Sequence, residues 1–365
     1  RIRAALPTIN WLCEHDARVL CASHLGRPKG QRRPEMSLAP VARRLSALVD
    51  RDVPLATDCI GPAVGDLVAE LQPGQIGALE NLRFHAGETA GDLDFAAELA
   101  RPVDVFVNDA FGAAHRAHAS VVGVPQVLGG GAAGFLMDKE LNALGRLLES
   151  PERPYAAILG GAKVSDKISL IEKLLERVDL LLIGGAMAYT FLAARGVSVG
   201  SSRVEQDQLA LANELTRRAG ERGVDVLLPI DHVTAEAVDG KQVSALARTD
   251  GASIAGGLLG VDIGEQTLAG WKARLGSGLR TVLWNGPVGL FEAAGCDRGT
   301  RELAAHLAGL GAAFRVVGGG DTAAAAARFG LEGSFNHVST GGGAALEFLS
   351  GIELPGVAAL EQVRQ

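Results

Sequence analysis

The chain has no excess of positive charge: 35 Lys and Arg stand against 42 Asp and Glu, a formal net charge of −7. That disfavours a general nucleic-acid binder or a protein that coats an anionic membrane, so any anion site must be local. A long apolar run is missing as well. The longest informative uncharged stretch, Ala117 to Met137, contains His118, Ser120, Pro125, Gln126 and five glycines, which makes it a poor bilayer span. Cysteines number 4, without Cys-x-x-Cys spacing, and nothing resembles a secretory leader. Inert free thiols in a reducing cytoplasm are the expectation. There is no internal repeat at periods of about 20 to 50 residues. The absence of Gly-x-x-x-x-Gly-Lys-[Ser/Thr] excludes a P-loop enzyme.

Glycine is what the chain has in abundance, 48 in 365 residues, about twice the usual share of roughly 7%. The glycines cluster as GG, GGG and GGGD rather than at a fixed period, which excludes collagen and predicts special backbone turns. The length suggests two domains at roughly 100 to 200 residues each. With 47% hydrophobic and 21% charged residues, a large interior is expected. Short apolar runs at Arg18–Ala22, Gln75–Leu79, Val103–Val107, Ala156–Leu159, Leu180–Ile183, Val224–Leu228, Thr281–Trp284 and Arg315–Val317 alternate with stretches of helical period, such as Leu38–Leu48, Ser165–Val178 and Gln206–Arg222. This alternation predicts an α/β fold with parallel sheets covered on both faces. A boundary is expected after the helical stretch Asp138–Glu149, where Ser150-Pro151-Glu152-Arg153-Pro154 stops the helix. The division is 1–137 with the tail 352–365, a linker helix 138–150, and 151–351.

In parallel sheets ligands sit beyond the carboxyl ends of the strands, so the loops after the strands are where chemistry is expected. In the first half these loops read Ser23-His24-Leu25-Gly26-Arg27-Pro28-Lys29-Gly30, Glu80-Asn81-Leu82-Arg83-Phe84-His85 and Asn108 through His118, which includes His115 and Arg116. Each carries an arginine. Converging guanidiniums suit carboxylates and phosphates, so a small polyanionic substrate is implied; three solvated surface arginines are the bland alternative. His115 and His118 lack a third ligand of suitable spacing, which argues against zinc between them.

In the second half, Gly160-Gly161-Ala162-Lys163-Val164-Ser165-Asp166-Lys167 follows a strand and is expected to open a helix. Glycines let amides approach a phosphate, and the four-residue spacing sets Lys163 and Lys167 on one side of the first turn. Val317-Gly318-Gly319-Gly320-Asp321-Thr322 satisfies a loose Gly-x-Gly-x-x-Ala dinucleotide pattern. Asp321, however, stands where a pyrophosphate would sit, and Mg²⁺ reconciles that acid with nucleotide phosphates. Trp284-Asn285-Gly286-Pro287 leads to Glu292, a candidate acceptor for ribose hydroxyls, and Ser339-Thr340-Gly341-Gly342-Gly343 offers further amides.

Taken in order, SHLGRPKG, LENLRFH, NDAFGAAHRAHAS, ILGGAKVSDK, IGGAMAYTFL, LWNGPVGLFE, VVGGGDT and VSTGGGA closely resemble the phosphoglycerate kinase family, from Arg1 almost to the C-terminus. The resemblance implies two Rossmann-like domains joined by a hinge helix. The first would hold 3-phosphoglycerate or 1,3-bisphosphoglycerate and the second ADP or ATP with Mg²⁺. It further implies a cytoplasmic monomer of glycolysis with no nucleic-acid or membrane partner. Carried over motif by motif, triose contacts fall on Arg1, His24, Leu25, Gly26, Arg27, Arg83 and Arg116. Catalytic positions fall on Arg1, Lys163 and Lys167, and nucleotide contacts on Lys167, Gly260, Asn285, Glu292, Gly319, Gly320, Asp321 and Thr322, with Asp321 on the metal. Leu354-Pro355-Gly356-Val357 resembles the tail that returns to the first domain.

The family's opening strand, of the form R-V-D-x-N-V-P, has no counterpart here, and a missing beginning is expected, with an unpaired sheet edge and a weakened triose pocket. A catalytically impaired binding fragment is therefore the alternative reading. A nicotinamide-linked dehydrogenase, resting only on Gly-x-Gly-x-x-Ala, is a third.

Overall fold

A computed structural model describes residues 2–276 and 278–361. Arg1, Ser277 and residues 362–365 lie outside the described residues. The chain divides into two compact units, residues 1–141 with 353–365 and residues 142–352.

In the first unit, strand β1 (Val19–Cys21) pairs in parallel with β2 (Ile76–Ala78), and β3 (Val107–Asn108) pairs in parallel with β4 (Ala132–Ala133). The helix Ile2–Glu14 lays Ile2, Leu6, Ile9 and Leu12 against Val19, Ala42, Leu45 and Ile76, as its 3.6-residue apolar spacing dictates. A second core under Leu67, Leu79, Leu82, Phe95 and Leu99 backs the loops that follow the strands. The expected strand Val103–Val107 shrinks to β3, and Val105 is 70% exposed. A run of β-branched residues forms a strand only where its side chains find a surface to pack against. The tail returns to this unit: Gly356 N–H donates to Ala114 O at 2.8 Å, and Gly131 N–H donates to Leu360 O at 3.3 Å.

The second unit is built on a six-stranded parallel sheet. Its strands are β5 (Tyr155–Leu159), β6 (Leu180–Ile183), β7 (Asp225–Leu227), β13 (Thr281–Asn285), β14 (Phe314–Gly318) and β15 (His337–Val338), arranged in the order β15-β14-β13-β5-β6-β7. Every residue of β5, β6 and β13 is buried, which is why β5 and β6 read as unbroken apolar runs and β13 carries one, Val282–Trp284, between polar ends. Counted within the sheet, the order is that of the doubly wound dinucleotide-binding fold, and the winding reverses between β5 and β13. Between β7 and β13 the chain adds β8 (His232–Ala235), β9 (Ala237–Asp239), β10 (Gln242–Ser244), β11 (Ala247–Arg248) and β12 (Leu259–Ile263). β8, β11 and β12 form a small antiparallel sheet, and β9 with β10 forms a hairpin.

The helix Phe135–Glu149 carries the chain across the point where the units divide. Among the described residues, no helix is long and apolar enough to cross a membrane.

Candidate functional site

The three arginine-bearing loops of the first unit follow β1, β2 and β3. Asn81, fully buried, ties two of them together. Its Nδ2 donates to Leu25 O at 2.8 Å and to Met36 O at 2.9 Å, while its Oδ1 accepts from Leu25 N at 3.3 Å and Arg83 N at 3.1 Å. Arg83 is 7% exposed and donates through Nη1 to Gly26 O at 2.8 Å, but its buried Nε has no partner among the described residues. Burial lowers the Arg83 pKa, and repulsion from Arg116 and Arg27 lowers it further against the opposing pull of Glu88. Positive potential is thus concentrated at Arg27, Arg83 and Arg116, and an incoming anion relieves it. Arg116 Nε donates to His115 Nε2 at 3.3 Å. Beneath, the buried Glu88 accepts from Ser120 Oγ at 2.7 Å and Ser120 N at 3.0 Å, with His118 Nδ1 at 3.6 Å. His24 lies half-buried in the same loop as the exposed Leu25, Gly26 and Arg27. Arg1 lies outside the described residues.

In the second unit the turns after β5 and β13 meet where the winding reverses. Gly160 N–H donates to Asn285 O at 3.0 Å, and Gly161 N–H to Pro287 O at 3.1 Å. A Cβ on Gly160 would lie 2.0 Å from Pro287 O, and one on Gly286 would lie 2.3 Å from Gly160 O. Both positions therefore require glycine. Lys167 reaches across, its Nζ donating to Asn285 Oδ1 and, at 3.3 Å, to Asn285 O. Burial lowers the Lys167 pKa to about 8, against the opposing pull of Asp166 and Asp321. Asn285 is 1% exposed, and its Nδ2, beside Gly318 and Gly319, is left without a partner among the described residues. A buried amide donor without an acceptor is costly, and it faces the turn that the sequence marks for phosphate.

That turn continues through Gly319, at φ +89°, into the helix Gly320–Arg328, which places Asp321 in its first turn. Asp321 is exposed and lies within electrostatic reach of Lys167. Thr322 is buried, its Oγ1 accepting from Gly286 N at 2.6 Å, so it braces the β13 turn and keeps only its own hydroxyl proton to give. Mg²⁺ asks for one or two carboxylates plus phosphate and water oxygens, and one exposed acid at a glycine-rich helix start fits that demand. Gly260 and Glu292 stand on adjoined segments, since Leu290 N–H donates to Val261 O at 2.7 Å. Gly260 leaves no room for a side chain, because a Cβ would lie 1.9 Å from Tyr189 Oη. Glu292 is half-buried.

The loop after β5 departs from expectation. Ser165–Lys167 is a 3-10 turn, and the α-helix begins at Ile168, so Lys163 precedes the helix instead of sharing a face with Lys167. The amides of Val164 and Ser165 are not free for phosphate. Glu205 takes Val164 N–H at 2.5 Å, Ser165 N–H at 3.3 Å and Ser165 Oγ at 2.6 Å. Nothing in the local sequence pairs Glu205 with a turn forty residues away. Asp262 was likewise missed. It is almost fully buried, is pushed up to about 7 by burial, and accepts from Gly299 N at 2.8 Å. It fills the space that Gly289 and Gly299 leave, locking β12 to the segment that carries Glu292.

The phosphoglycerate kinase family model matches residues 1–352. The chain is 51% identical to phosphoglycerate kinase of Anaeromyxobacter dehalogenans, over 99% of its length and 91% of the relative's. It is 50% identical to that of Moorella thermoacetica, with the same coverage. The solved structure of phosphoglycerate kinase from Coxiella burnetii superposes with a TM-score of 0.88 at 41% identity, covering 99% of this chain and 90% of that one. The phosphoglycerate kinase of Pyrococcus horikoshii gives 0.85 at 33% identity, covering 99% of this chain and 90% of that one.

Proposed function

We infer function from membership: this chain belongs to the phosphoglycerate kinase family, and is a kinase that transfers a phosphoryl group to and from a carboxyl group in glycolysis. The reaction is reversible transfer between 1,3-bisphosphoglycerate and ADP, giving 3-phosphoglycerate and ATP. Homology across the whole match favours this over a catalytically impaired binding fragment or a nicotinamide-linked dehydrogenase.

In the proposed division of labour, His24, Leu25, Gly26, Arg27, Arg83 and Arg116, with Arg1, hold the triose on a domain comprising residues 1–137 and the tail 352–365. Residues 151–351 hold the nucleotide through Lys167, Gly260, Asn285, Glu292, Gly319, Gly320, Asp321 and Thr322. Closure about the linker 138–150 brings the reactants together and excludes water from the acyl phosphate. The attacking group is already an ionised carboxylate or phosphate, so no general base is needed and positioning with charge neutralisation does the work. Lys163 and Lys167 neutralise the transferred group, with Arg1 opposite. Asn285 donates its unspent Nδ2 proton to a nucleotide oxygen. Asp321 holds Mg²⁺, which when bound supplies positive charge to the nucleotide phosphates. The protein is proposed to act as a cytoplasmic monomer.

The observation that supports these roles best is the pairing of Lys167 with Asn285 where the winding reverses, with an orphaned amide beside the Gly318–Gly320 turn. The test is ATP formation from 1,3-bisphosphoglycerate and ADP in a coupled assay with Mg²⁺. Turnover that requires both substrates and the metal supports the reading; its absence from folded protein refutes it.

A further inference from the structure

Away from the phosphate-handling turns, the first unit gathers three groups of different ligand chemistry at one point. Asp58 and Cys59 lie in the bent segment between the bridge at Leu55 and the helix Pro62–Glu70, and His85 follows the 3-10 turn Leu82–Phe84. A carboxylate oxygen of Asp58, Sγ of Cys59 and a ring nitrogen of His85 all lie within 4.8 Å of one another. We propose that Asp58, Cys59 and His85 form a three-ligand site for a thiophilic divalent cation, zinc by its donor set.

The geometry needs little adjustment. Zinc binds sulfur at about 2.3 Å and nitrogen or oxygen at about 2.0 to 2.2 Å, so tetrahedral ligand atoms sit roughly 3.5 Å apart. The wider separations therefore close, and the His85–Asp58 contact opens, by about an ångström of side-chain rotation. His85 Nε2 now lies 2.6 Å from Asp58 Oδ1, a contact that holds the ligands together in the absence of the ion and is exchanged for two bonds to it. Phe95 stacks on the imidazole, with centroids 5.2 Å apart and planes at 26°, which fixes the ring that presents Nε2. Access is from one side only. The Asp58 and His85 side chains are 42% and 30% exposed, while Cys59 is 1% exposed and closes the inner wall. The fourth position then faces solvent and takes water, as zinc sites with three protein ligands do.

The surrounding charges also bear on the choice of ion. Arg32, held by its Nη1 bond to Thr57 O at 2.7 Å, acts on Asp58, while Glu88 acts on Cys59. One carboxylate offset by a guanidinium is a poor site for Mg²⁺, which prefers oxygen donors. A thiolate and an imidazole select the softer ion. Binding replaces the Cys59 S–H bond by a sulfur–metal bond and releases that proton to solvent. His85 stands two residues from Arg83 on the same turn, so the cation and an anion held at Arg83 are expected to influence each other's affinity reciprocally.

The experiment titrates Zn²⁺ into the whole protein in excess Mg²⁺ against a chromophoric zinc indicator, with Co²⁺ used in parallel as a spectroscopic probe. One equivalent should bind, and Co²⁺ should give a thiolate charge-transfer band that Cys59→Ser abolishes and Cys21→Ser keeps. His85→Gln and Asp58→Asn, at half-exposed positions where the fold should survive, should each weaken Zn²⁺ binding by about tenfold or more. Undiminished Zn²⁺ affinity in both variants, or a Co²⁺ complex without the thiolate band, would overturn the site. Neither readout depends on kinase turnover.

Discussion

Lys167 holds an ammonium where burial disfavours it, and the consequence is a pH dependence with a definite sign. Its pKa falls from 10.5 to about 8 in the folded chain. Between those values the unfolded chain binds the extra proton, so this group makes the protein more stable as pH rises through that window. Function is expected to run the other way, because the charge proposed to neutralise phosphate is lost above about 8. The nucleotide kcat/KM should therefore fall on an alkaline limb near pH 8, and a profile that stays flat well beyond it would remove Lys167 from the role. Lys167→Ala should lower turnover by orders of magnitude while leaving the thermal transition in place, as circular dichroism beside the coupled assay would show. At the arginine cluster, Arg83→Ala and Arg116→Ala should each raise the phosphoglycerate Kd, and the difference from wild type should shrink with added salt more for the half-buried Arg116 than for the buried Arg83. Calorimetry at two ionic strengths measures both. Arg27, Arg83, Arg116 and Lys167 were legible as candidates because a basic residue in a loop that follows an apolar strand is a local pattern. The pairing of Lys167 with Asn285 was not legible, because it spans 118 positions.

The turn after β5 is more firmly tied than the glycines alone imply. Glu205 fastens Val164 and Ser165 from a distant loop and so fixes the direction in which Lys163 and Lys167 leave the backbone. Glu205→Gln keeps the shape but gives up charged hydrogen bonds worth roughly 1.5 to 3 kcal/mol. It should lower kcat by about tenfold with a smaller change in nucleotide KM, and an unchanged kcat beside a lowered thermal transition would mean that Glu205 serves stability alone. The parallel strands were readable element by element, since burial on both faces leaves continuous apolar runs such as β6, Leu180–Ile183. The antiparallel additions β8, β11 and β12 were not readable. β12 passes through Gly260 and the buried acid Asp262, which break any apolar run, and its register shifts between those two residues. Val103–Val107 misled for the opposite reason, since Val105, at its centre, stays exposed.

At the scale of the molecule, two compact units share one chain and are proposed to divide its ligands. MgADP at a hundred times its Kd should stabilise its own unit by about 2.7 kcal/mol. Hydrogen exchange should show the gain in β5, β6, β13 and β14, and 3-phosphoglycerate should protect the loops after β1, β2 and β3 instead. Protection by both ligands in the same segments would contradict the division. The meeting of Gly160 and Gly286 also limits how this protein can vary. Each would-be Cβ collides with backbone atoms of the opposite turn, so no change of side chain at one position makes room for a change at the other. In a selection for growth, the two codons should behave as independently intolerant, and revertants of either should be true reversions or changes that shift a strand, with no second-site suppressor at its partner.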